Sequence, residues 1–321
     1  MTGGASKLRS ASDPVAAIGE LGGERLRERM RAVETRLLEI SACHGDARRT
    51  IEAGGKRLRP LLVFVAGLHG PADAPLVRAA VAVELIHSAT LVHDDVLDAA
   101  PLRRGRPTVY ARAGRVAATA TGDLLFSRAF AELAANGSVE QLRALSAAST
   151  ALSEGELVQR ADAWNPGVTI ERYLRRCELK TASLFEAACK LGAAAGESAD
   201  LRGFGLAIGT AFQILDDVLD VTGPVERTGK ARGTDLLDGT VTLPLILARE
   251  RDPRLGRLDL RAIDDAGEVC DRIVASGATE AARERALGLV AGAKAKLPDE
   301  LGPGQRRALE LIADGVALRF A

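Results

Sequence analysis

The pentapeptide Asp94-Asp95-Val96-Leu97-Asp98 recurs unchanged as Asp216-Asp217-Val218-Leu219-Asp220, and each copy follows a largely apolar segment, residues 81–92 and 204–215. In a helix, the first and fifth residues of each copy lie one turn apart on the same face. Two carboxylates ~4 Å apart repel each other by about 4 kcal/mol at an effective dielectric of about 20. The repeat therefore predicts a bound cation at the end of each of two helices.

The ligand types indicate which cation is expected. Carboxylate oxygens without Cys or His at a metal-ligand spacing favour Mg²⁺, which keeps several waters and shares its coordination shell with substrate phosphates. A single copy is also explained as a solvated, charge-rich helix end. Two identical copies favour the metal site. His93, beside the first copy, is expected to support the helix.

Composition predicts an all-α protein. The chain of 321 residues is 47% apolar, and aromatic residues make up only 3% of it, while Ala and Leu dominate. Lys and Arg total 43 and Asp and Glu total 43, so no net charge favours nucleic acid or an acidic membrane surface. We therefore expect a helical protein without a nucleic-acid partner.

The cysteines and the N-terminus indicate a cytoplasmic protein. Scattered cysteines without a CxxC pair are typical of reduced thiols; they are Cys43, Cys177, Cys189 and Cys270. No apolar run approaches 18 residues without charge, so no membrane span is predicted. Residues 1–20 begin Gly- and Ser-rich and lack the apolar centre of a signal peptide. They are expected to be a disordered lead-in to a single domain at residues 21–321.

Apolar residues at helical spacing predict helices over most of the chain. The predicted helices cover residues 26–40, 61–68, 76 to the first pentapeptide, 116–135, 139–162, 169–192, 199–220, 243–250, 260–275, 278–297 and 305–318. Pro60 is expected to open the second of them. The helix before the first pentapeptide is apolar on almost all sides, so we expect it at the centre of the bundle. Residues 222–240 form a long glycine-rich loop of the kind that usually carries function.

Three groups of basic residues accompany the pentapeptides. They are Lys56, Arg57 and Arg59 at a Gly54-Gly55 break, Arg103 and Arg104 after the first copy, and Lys230 and Arg232 after the second. Each group alone is also explained by solvated loop charges. Together with the two carboxylate clusters, they predict a cavity that binds polyanions and divalent cations at the same time. Diphosphates have this chemistry.

The ordered set of motifs resembles the trans-isoprenyl diphosphate synthases of the polyprenyl synthetase family, of medium- to long-chain type. The motifs span about residues 50–245 and are Gly54-Gly55-Lys56-Arg57-Leu58-Arg59-Pro60, Glu84 to His93, Leu102-Arg103-Arg104-Gly105, Lys180-Thr181, Gln213, and Gly229-Lys230 with Gly233-Thr234-Asp235. The resemblance implies an all-helical, isoprenoid-synthase-type bundle around a deep central cavity. It also implies that the pentapeptides face each other across the mouth of that cavity and that the protein is a homodimer.

The resemblance also implies a role for each matching residue. Isopentenyl diphosphate would be held by Lys56, Arg59 and His87, assisted by Arg104. The allylic diphosphate would be held by Arg103, Lys180 and Lys230 and, through three Mg²⁺ ions, by Asp94, Asp98, Asp216, Asp217 and Asp220. Thr181 and Gln213 would present oxygen dipoles to a developing cation. His87 is alternatively a core histidine bonded to backbone.

The implied reaction is a head-to-tail condensation that makes a trans-polyprenyl diphosphate. The allylic diphosphate ionises, isopentenyl diphosphate attacks the allylic cation, and a proton leaves to the released diphosphate. Ala89 and Thr90 are small residues one turn below the first pentapeptide, so a product of twenty carbons or more is expected. Phe126 and Phe130 are candidate walls that limit chain length, although core packing is the commoner role of such residues.

Two departures from the family pattern affect affinity more than activity. Ala99-Ala100 follows the first pentapeptide where relatives usually carry a polar residue, and Thr240 stands where many have Lys. Competing functions are a class I terpene cyclase, a head-to-head condensing synthase, a non-catalytic regulatory subunit and a metal-binding helical protein. The complete pentapeptides and the GGKRLRP stretch disfavour the first three.

Overall fold

The computed structural model describes Ile18 and residues 22–67, 73–196, 201–223 and 232–318. The described helices before residue 200 are α1 Gly23–Ser41, α2 Gly45–Glu52, α3 Leu58–Ala66, α4 Asp73–Leu97, α5 Val109–Ala134, α6 Val139–Ala161, α7 Ile170–Cys177 and α8 Ser183–Ala195. After residue 200 follow α9 Phe204–Thr222, α10 Thr234–Leu237, α11 Leu243–Arg251, α12 Pro253–Gly256, α13 Ala266–Ala275, α14 Ala278–Ala295 and α15 Pro303–Leu318. A π-helical segment, Glu178–Ala182, joins α7 to α8. The predicted all-α class is confirmed.

The chain forms two compact units. The first contains residues 1–149, 184–205 and 297–315, and the second contains residues 150–183, 206–296 and 316–321. The single domain at residues 21–321 stays a prediction. Of the lead-in at residues 1–20, the structure describes Ile18 alone, which is buried and accepts a hydrogen bond from the Gly22 amide.

Helix α4 is the central helix of the first unit. It packs against α1, α3 and α5. Its interior residues Leu85, Ile86 and Ala89 are fully buried, which explains why its sequence is apolar on almost every side. Burial of each large apolar side chain contributes about 1.5–3 kcal/mol to stability. By length and hydropathy Asp73–Leu97 could also cross a membrane, but 67% of its most apolar stretch is buried in the protein.

Helix α5 begins earlier than predicted, at Val109 instead of Val116. The Thr108 side chain accepts a hydrogen bond from the Ala111 amide at 3.0 Å and caps the first turn. Gly114 then interrupts the helix with φ 80° and ψ 176°, a conformation that glycine adopts without a Cβ clash. The predicted start of the helix at Val116 therefore lies just after this kink.

In the second unit, α11 packs against α14 and α13. Trp164 lies in the turn before α7. Trp164 has a positive φ of 63°, and its amide donates to the Gly239 carbonyl at 2.8 Å. A Cβ at Gly239 would lie 2.3 Å from the Trp164 ring, so only glycine fits there. This contact attaches the end of the predicted functional loop to the turn before α7.

Several other local predictions were wrong. Pro60 is the third residue of α3, because Arg57 takes a left-handed conformation and caps the helix before it. The basic loop after the first pentapeptide contains a short antiparallel hairpin, β1 Leu102–Arg103 and β2 Arg106–Pro107. Helix α2 was missed, since it has few apolar positions. The helix predicted at residues 260–275 is a 3₁₀ turn at Leu260–Ala262 followed by α13.

Gly192 allows close contact between α8 and α3. A Cβ at this position would lie 2.2 Å from the Val63 carbonyl oxygen, so Gly192→Ala is expected to destabilise the protein by about 1–3 kcal/mol through overpacking. Gly288→Ala in α14 is the matched control, because nothing lies within 4 Å of its Cβ. It should stabilise by about 0.5–1 kcal/mol through helix propensity. Urea unfolding midpoints measure both, and equal midpoints would contradict the packing argument.

Candidate active site

A basic cavity of about 240 Å³ lies in the first unit, between the GGKR turn, α4 and the β1–β2 hairpin. Its charged lining residues are Asp46, Arg49, Arg57, Glu84, His87, Asp95, Arg103, Arg104, Arg106 and Arg112. With His87 neutral, the six arginines and three carboxylates of this described lining leave an excess of three positive charges. The cavity is therefore suited to a polyanion.

Arg57 is a buried arginine that lines the basic cavity. It is buried, with φ 48°, and its guanidinium donates to Glu84 at 2.6 Å, to Glu34 at 2.6 and 3.1 Å, and to the Ile51 carbonyl at 3.1 Å. Burial opposes the charge of Arg57, but the hydrogen bonds that it donates to the two carboxylates, together with their negative charge, outweigh burial and raise its pKa. The sequence analysis placed Arg57 in the basic group at the glycine break without a substrate contact of its own, and the structure shows it as the hydrogen-bond donor to two acids.

His87 lines the basic cavity one turn after Glu84 on α4. The pKa of its ring lies well below the ordinary value, first because the ring is withdrawn from water and then because Arg59, Arg104 and Arg103 add positive charge nearby. His87 is therefore a neutral imidazole at pH 7 in the absence of an anion. A neutral ring still offers one N–H to a bound anion.

The predicted isopentenyl-diphosphate residues are only partly brought together. His87 and Arg104 line the basic cavity, and so does Arg103, which was predicted for the allylic diphosphate. Lys56 is exposed beside the cavity's glycine turn, and the Arg59 guanidinium lies 4.5 Å from the centre of the Phe185 ring. Neither Lys56 nor Arg59 is among the described residues that line the cavity.

Helix α4 covers the first aspartate cluster, residues 94–98, up to Leu97, and the Asp98 amide still donates to the Asp94 carbonyl at 2.8 Å. Asp94 is half-buried and Asp98 is exposed, one turn apart on one face. Asp95 is buried and accepts a hydrogen bond from Arg103 at 2.7 Å, which holds the hairpin against the helix. The cluster thus presents two of its three carboxylates outward.

His93 supports α4 as expected. Its Nε2 lies 3.2 Å from an Asp123 carboxylate oxygen, and its ring stacks on Phe126 with a centroid distance of 6.3 Å. Gly122 makes room for the ring, because a Cβ there would lie 2.2 Å from the His93 Nε2 atom. His93 therefore locks α4 to α5 immediately before the first aspartates.

Along the same two helices lie the predicted chain-length residues. Ala89 is fully buried, and Thr90 is half-buried with its hydroxyl donating to the His87 carbonyl at 2.9 Å. Phe126 and Phe130 stack at 6.4 Å and are both half-buried. The rings of His93, Phe126 and Phe130 thus form one continuous aromatic row on the α4–α5 pair.

The second aspartate cluster, residues 216–220, differs from expectation at its second residue. Asp216 is exposed, but Asp217 is buried and both of its carboxylate oxygens are occupied: Tyr173 donates to one at 2.6 Å and Gln213 to the other at 2.7 Å. Asp217 as a metal ligand therefore stays a prediction, and the hydrogen bonds that its oxygens accept inside the protein favour a structural role instead. Asp220 is half-buried, and one of its carboxylate oxygens accepts the Asp235 amide at 3.2 Å.

The pKa of Asp217 shows how deeply it is buried. Loss of solvation raises it above the ordinary value, and the hydrogen bonds that Tyr173 and Gln213 donate oppose that rise. A carboxyl in this environment is a structural hydrogen-bond acceptor. It depends on its two donors to remain charged.

Lys180 and Thr181 lie in the π-helical segment Glu178–Ala182, a form that occurs frequently at functional sites. Lys180 pairs with Glu156 on α6, whose carboxylate also accepts a hydrogen bond from Arg160. Burial raises the pKa of Glu156, but the charge of Lys180 outweighs it and the net shift is downward. Gly155 permits this contact, since a Cβ there would lie 2.5 Å from the Lys180 amide nitrogen.

Thr181 and Gln213 bond to each other. The Thr181 hydroxyl donates to the Gln213 carbonyl oxygen at 2.6 Å, so the two predicted cation-facing dipoles form one unit. Lys230 lies outside the described residues, and its predicted contact with a diphosphate stays a prediction.

The carboxylates suit a metal that brings its own additional ligands. Within the described ranges, no three His, Cys, Asp or Glu side chains are grouped closely enough to hold a metal ion by themselves. Mg²⁺ does not need such a cage, because it is usually bound through one or two carboxylates together with waters and substrate phosphates. Asp94 with Asp98 meets this requirement.

Comparison with known proteins identifies the family. Residues 42–272 match the family model described as polyprenyl synthetase. The chain belongs to this family. It is 41% identical over 243 residues to the heptaprenyl diphosphate synthase component 2 of Geobacillus stearothermophilus, covering 74% of this chain and 73% of that protein. It is 37% identical over 252 residues to the octaprenyl diphosphate synthase of Escherichia coli K12, covering 74% and 77%.

Solved structures agree with this assignment. The polyprenyl synthase of Caulobacter crescentus CB15, crystallised with calcium and isoprenyl diphosphate, superposes with a TM-score of 0.87 at 33% identity, over 97% of this chain and 99% of that chain. The isoprenoid-synthase fold type and the trans-prenyltransferase activity are therefore confirmed. The names of the relatives include geranylgeranyl, heptaprenyl and octaprenyl diphosphate synthases, in line with a product of twenty carbons or more, and also a short-chain isoprenyl diphosphate synthase.

The sequence analysis did not single out several residues that hold predicted site residues in place from inside the protein. Tyr173 and Glu156 carry no motif of their own, yet each holds a predicted site residue, Asp217 and Lys180 respectively, by a short hydrogen bond or ion pair. Gly122 and Gly155 likewise matter only through the side chain or backbone that approaches them. Their spacing from the partner residues along the chain gives no signal.

Binding of a diphosphate in the basic cavity is expected to depend on His87 protonation. The pKa of the free ring lies well below its ordinary value, and a bound polyanion raises it, so the complex binds a proton more tightly than the free protein does. The affinity for diphosphate is therefore expected to increase as the pH falls below the pKa of His87 in the complex. Calorimetry with inorganic diphosphate and a metal chelator, between pH 5 and 8, measures the dissociation constant and the proton uptake.

His87→Gln is the control for this prediction, because diphosphate itself also gains protons over the same pH range. The variant keeps a hydrogen-bond donor but cannot titrate. Proton uptake on binding should therefore be smaller in the variant than in the wild type. Identical uptake in both proteins would show that His87 does not contact the anion.

Proposed function

We propose that the basic cavity of the first unit binds the diphosphate of isopentenyl diphosphate and that the two aspartate clusters bind an allylic diphosphate through Mg²⁺. The observation that carries this proposal is the cavity itself, with an excess of three positive charges and a neutral His87 next to the first aspartate cluster. The protein then joins the two substrates head to tail into a trans-polyprenyl diphosphate.

The charge pairing within the cavity supports this role. Its acids are already partnered by arginines: Asp46 by Arg49 and Arg112, Glu84 by Arg57, and Asp95 by Arg103. A bound diphosphate therefore meets cations whose directions are fixed before binding, which lowers the ordering cost of recognition. Arg104 and Arg106, on the turn of the hairpin and at its second strand, add charge at the rim. Lys56 and Arg59 are proposed to join on the side of the glycine turn.

In the proposed reaction the carbon–oxygen bond of the allylic diphosphate breaks, and the diphosphate keeps the electron pair. The double bond of isopentenyl diphosphate attacks the allylic cation, a new carbon–carbon bond forms, and a proton passes to the released diphosphate. Lys180 and Lys230 bind the leaving diphosphate, with Arg103 at the hairpin. Oxygen atoms of Thr181 and Gln213 stabilise the positive charge on the allylic carbon.

Asp94, Asp98 and Asp216, with Asp220 assisting, are the residues that would hold Mg²⁺. When bound, the metal, at three ions per active site, withdraws charge from the diphosphate as a Lewis acid and orients it. The exposed or half-buried position of these carboxylates supports the proposal, since they can share the ion's shell with phosphate oxygens. Asp95 and Asp217 instead orient the two clusters from inside.

We further propose a cytoplasmic homodimer with no nucleic-acid partner and no membrane span. The balance of 43 basic and 43 acidic residues supports the absence of a nucleic-acid partner. The burial of helix α4 supports its role as a core helix. Light scattering of the purified protein measures its mass, and a monomer would contradict the dimer.

Incubation of the purified protein with Mg²⁺, radiolabelled isopentenyl diphosphate and an allylic starter of five, ten, fifteen or twenty carbons tests the proposal. Labelled products of twenty or more carbons, lost when the metal is chelated, are expected. Turnover of the allylic starter without incorporation of label would instead indicate a cyclase. Absence of any reaction with all four starters would contradict the proposal.

Removal of a metal-binding carboxylate should reduce turnover. Asp94→Ala or Asp216→Ala is expected to lower kcat at least about 10²-fold, because a metal ligand stabilises the transition state by several kcal/mol. Glu154→Ala, an exposed acid on α6, is the control and should leave kcat unchanged. Steady-state kinetics at saturating Mg²⁺ measures the effect. Near wild-type kcat in either aspartate variant would remove that residue from the metal site.

Phe130 is expected to limit product length. It ends the aromatic row of His93, Phe126 and Phe130, so Phe130→Ala opens space along α5 and should shift the products to longer chains by one or more five-carbon units. Phe130→Leu keeps most of the bulk and should shift them less. Chromatography of the dephosphorylated products measures the distribution. The same distribution in all three proteins would exclude Phe130 from this role.

A further inference from the structure

Tyr173 is the largest fully buried polar side chain of the second unit, and the proposed function does not assign it a role. It lies on α7, two turns before Thr181, and no surface of its ring is exposed. Its hydroxyl donates to Asp217 at 2.6 Å. Burial and the adjacent Asp217 charge hold its pKa well above the ordinary value, so it remains a hydrogen-bond donor.

Tyr173 holds Asp217 in place, and Asp217 in turn orients the side chain of Gln213. The first carboxylate oxygen of Asp217 accepts the Tyr173 hydroxyl and the second accepts the Gln213 amide nitrogen at 2.7 Å. Since a carboxylate only accepts, the Gln213 amide is oriented with its NH₂ toward Asp217 and its carbonyl oxygen away from it. Thr181 completes the row by donating to that carbonyl oxygen at 2.6 Å.

All three hydrogen bonds that link these four residues are donated in the direction of Asp217. Hydrogen bonds run from Tyr173 and Gln213 toward Asp217 and from Thr181 toward Gln213, so the negative charge of Asp217 polarises the amide and leaves excess negative charge on its carbonyl oxygen. That oxygen and the Thr181 hydroxyl are the two dipoles proposed to stabilise the allylic cation. A reversed amide would place its carbonyl against the carboxylate and turn its N–H groups toward the cation.

Tyr173 also contacts Arg176 through the face of its ring. The Arg176 guanidinium lies 5.3 Å from the centre of its ring and donates to the Val241 carbonyl at 2.7 Å. Both residues are on α7, which runs directly into the π-helical segment with Lys180 and Thr181. The fully buried tyrosine ring is therefore packed against a second anchored side chain on the same helix.

We propose that Tyr173 is a positioning residue for the condensation reaction. By holding Asp217, it keeps the Gln213 amide in the one orientation whose carbonyl oxygen, together with the Thr181 hydroxyl, stabilises the allylic cation. This inference rests on the proposed function. It assigns Asp217 to the orientation of Gln213.

The test is Tyr173→Phe, which removes the hydroxyl and keeps the ring. Because a hydrogen bond to a charged group that acts in the transition state is lost, kcat should fall about tenfold or more. The KM values for both substrates should change less than about threefold, since the diphosphate-binding residues remain in place. Tyr110→Phe, at the only other tyrosine of the chain, is the matched control and should retain wild-type kinetics.

A double-mutant cycle with Gln213→Ala separates positioning from a structural effect. If Tyr173 acts through Gln213, its substitution should have little further effect on kcat in the Gln213→Ala background. Multiplicative losses of kcat would overturn the proposal, as would an unchanged kcat or a change confined to KM in Tyr173→Phe. An inactive wild-type protein would instead refute the proposed function.

Asp217→Asn keeps the test decisive if Tyr173→Phe does not fold. The asparagine retains the shape and the contact with Tyr173 but has one oxygen fewer to accept the Gln213 amide. It should lower kcat by a similar factor, again without a large change in KM and without a further loss in the Gln213→Ala background. Wild-type kcat in a folded Asp217→Asn protein would overturn the proposal.

Discussion

Burial of the second aspartate in each cluster is the constraint on which the candidate active site depends. Asp95 is held by Arg103, and Asp217 is held by Tyr173 and Gln213. An ionised carboxylate is stable inside a protein only when its oxygens are paired, so these contacts fix the rotation of each helix end. The first and fifth aspartates then share the outer face by helical geometry alone. The repeated pentapeptide thus contains two outward acids and one internal anchor.

The basic cavity likewise contains a buried charged group that is paired inside the protein, in this case a cation. Arg57 is buried, and Glu84 and Glu34 accept its hydrogen bonds, so this cation determines the shape of the cavity more than its affinity. A buried pair of this kind is weak evidence for stability, but removal of one partner leaves an uncompensated charge that costs about 3–5 kcal/mol. The cavity-lining arginines proposed to bind the diphosphate are instead those of the hairpin, Arg103, Arg104 and Arg106. Structural and proposed binding arginines of this lining therefore come from separate parts of the chain.

Much of the fold could be predicted from the sequence, because helical periodicity is local. The helices at residues 26–40, 139–162 and 278–297 were expected within a few residues of their observed bounds. What could not be predicted depends on distant partners. Asp217 is the same residue type as the adjacent Asp216, and only the fold brings Tyr173 to it. Likewise Arg57 differs from Arg59 in its left-handed backbone, which no pattern of residue types reveals.

The contact between Trp164 and Gly239 has a spectroscopic consequence. Trp164 is the sole indole of the chain, so the intrinsic fluorescence of the protein originates at one place. Its backbone is bonded to Gly239, which follows the segment that carries Asp235 and Asp238 after the second aspartate cluster. Emission excited at the red edge of the absorption band will therefore report the surroundings of the Trp164 ring, which include Gly239 and Arg261. The protein contains its own optical label there, without chemical attachment.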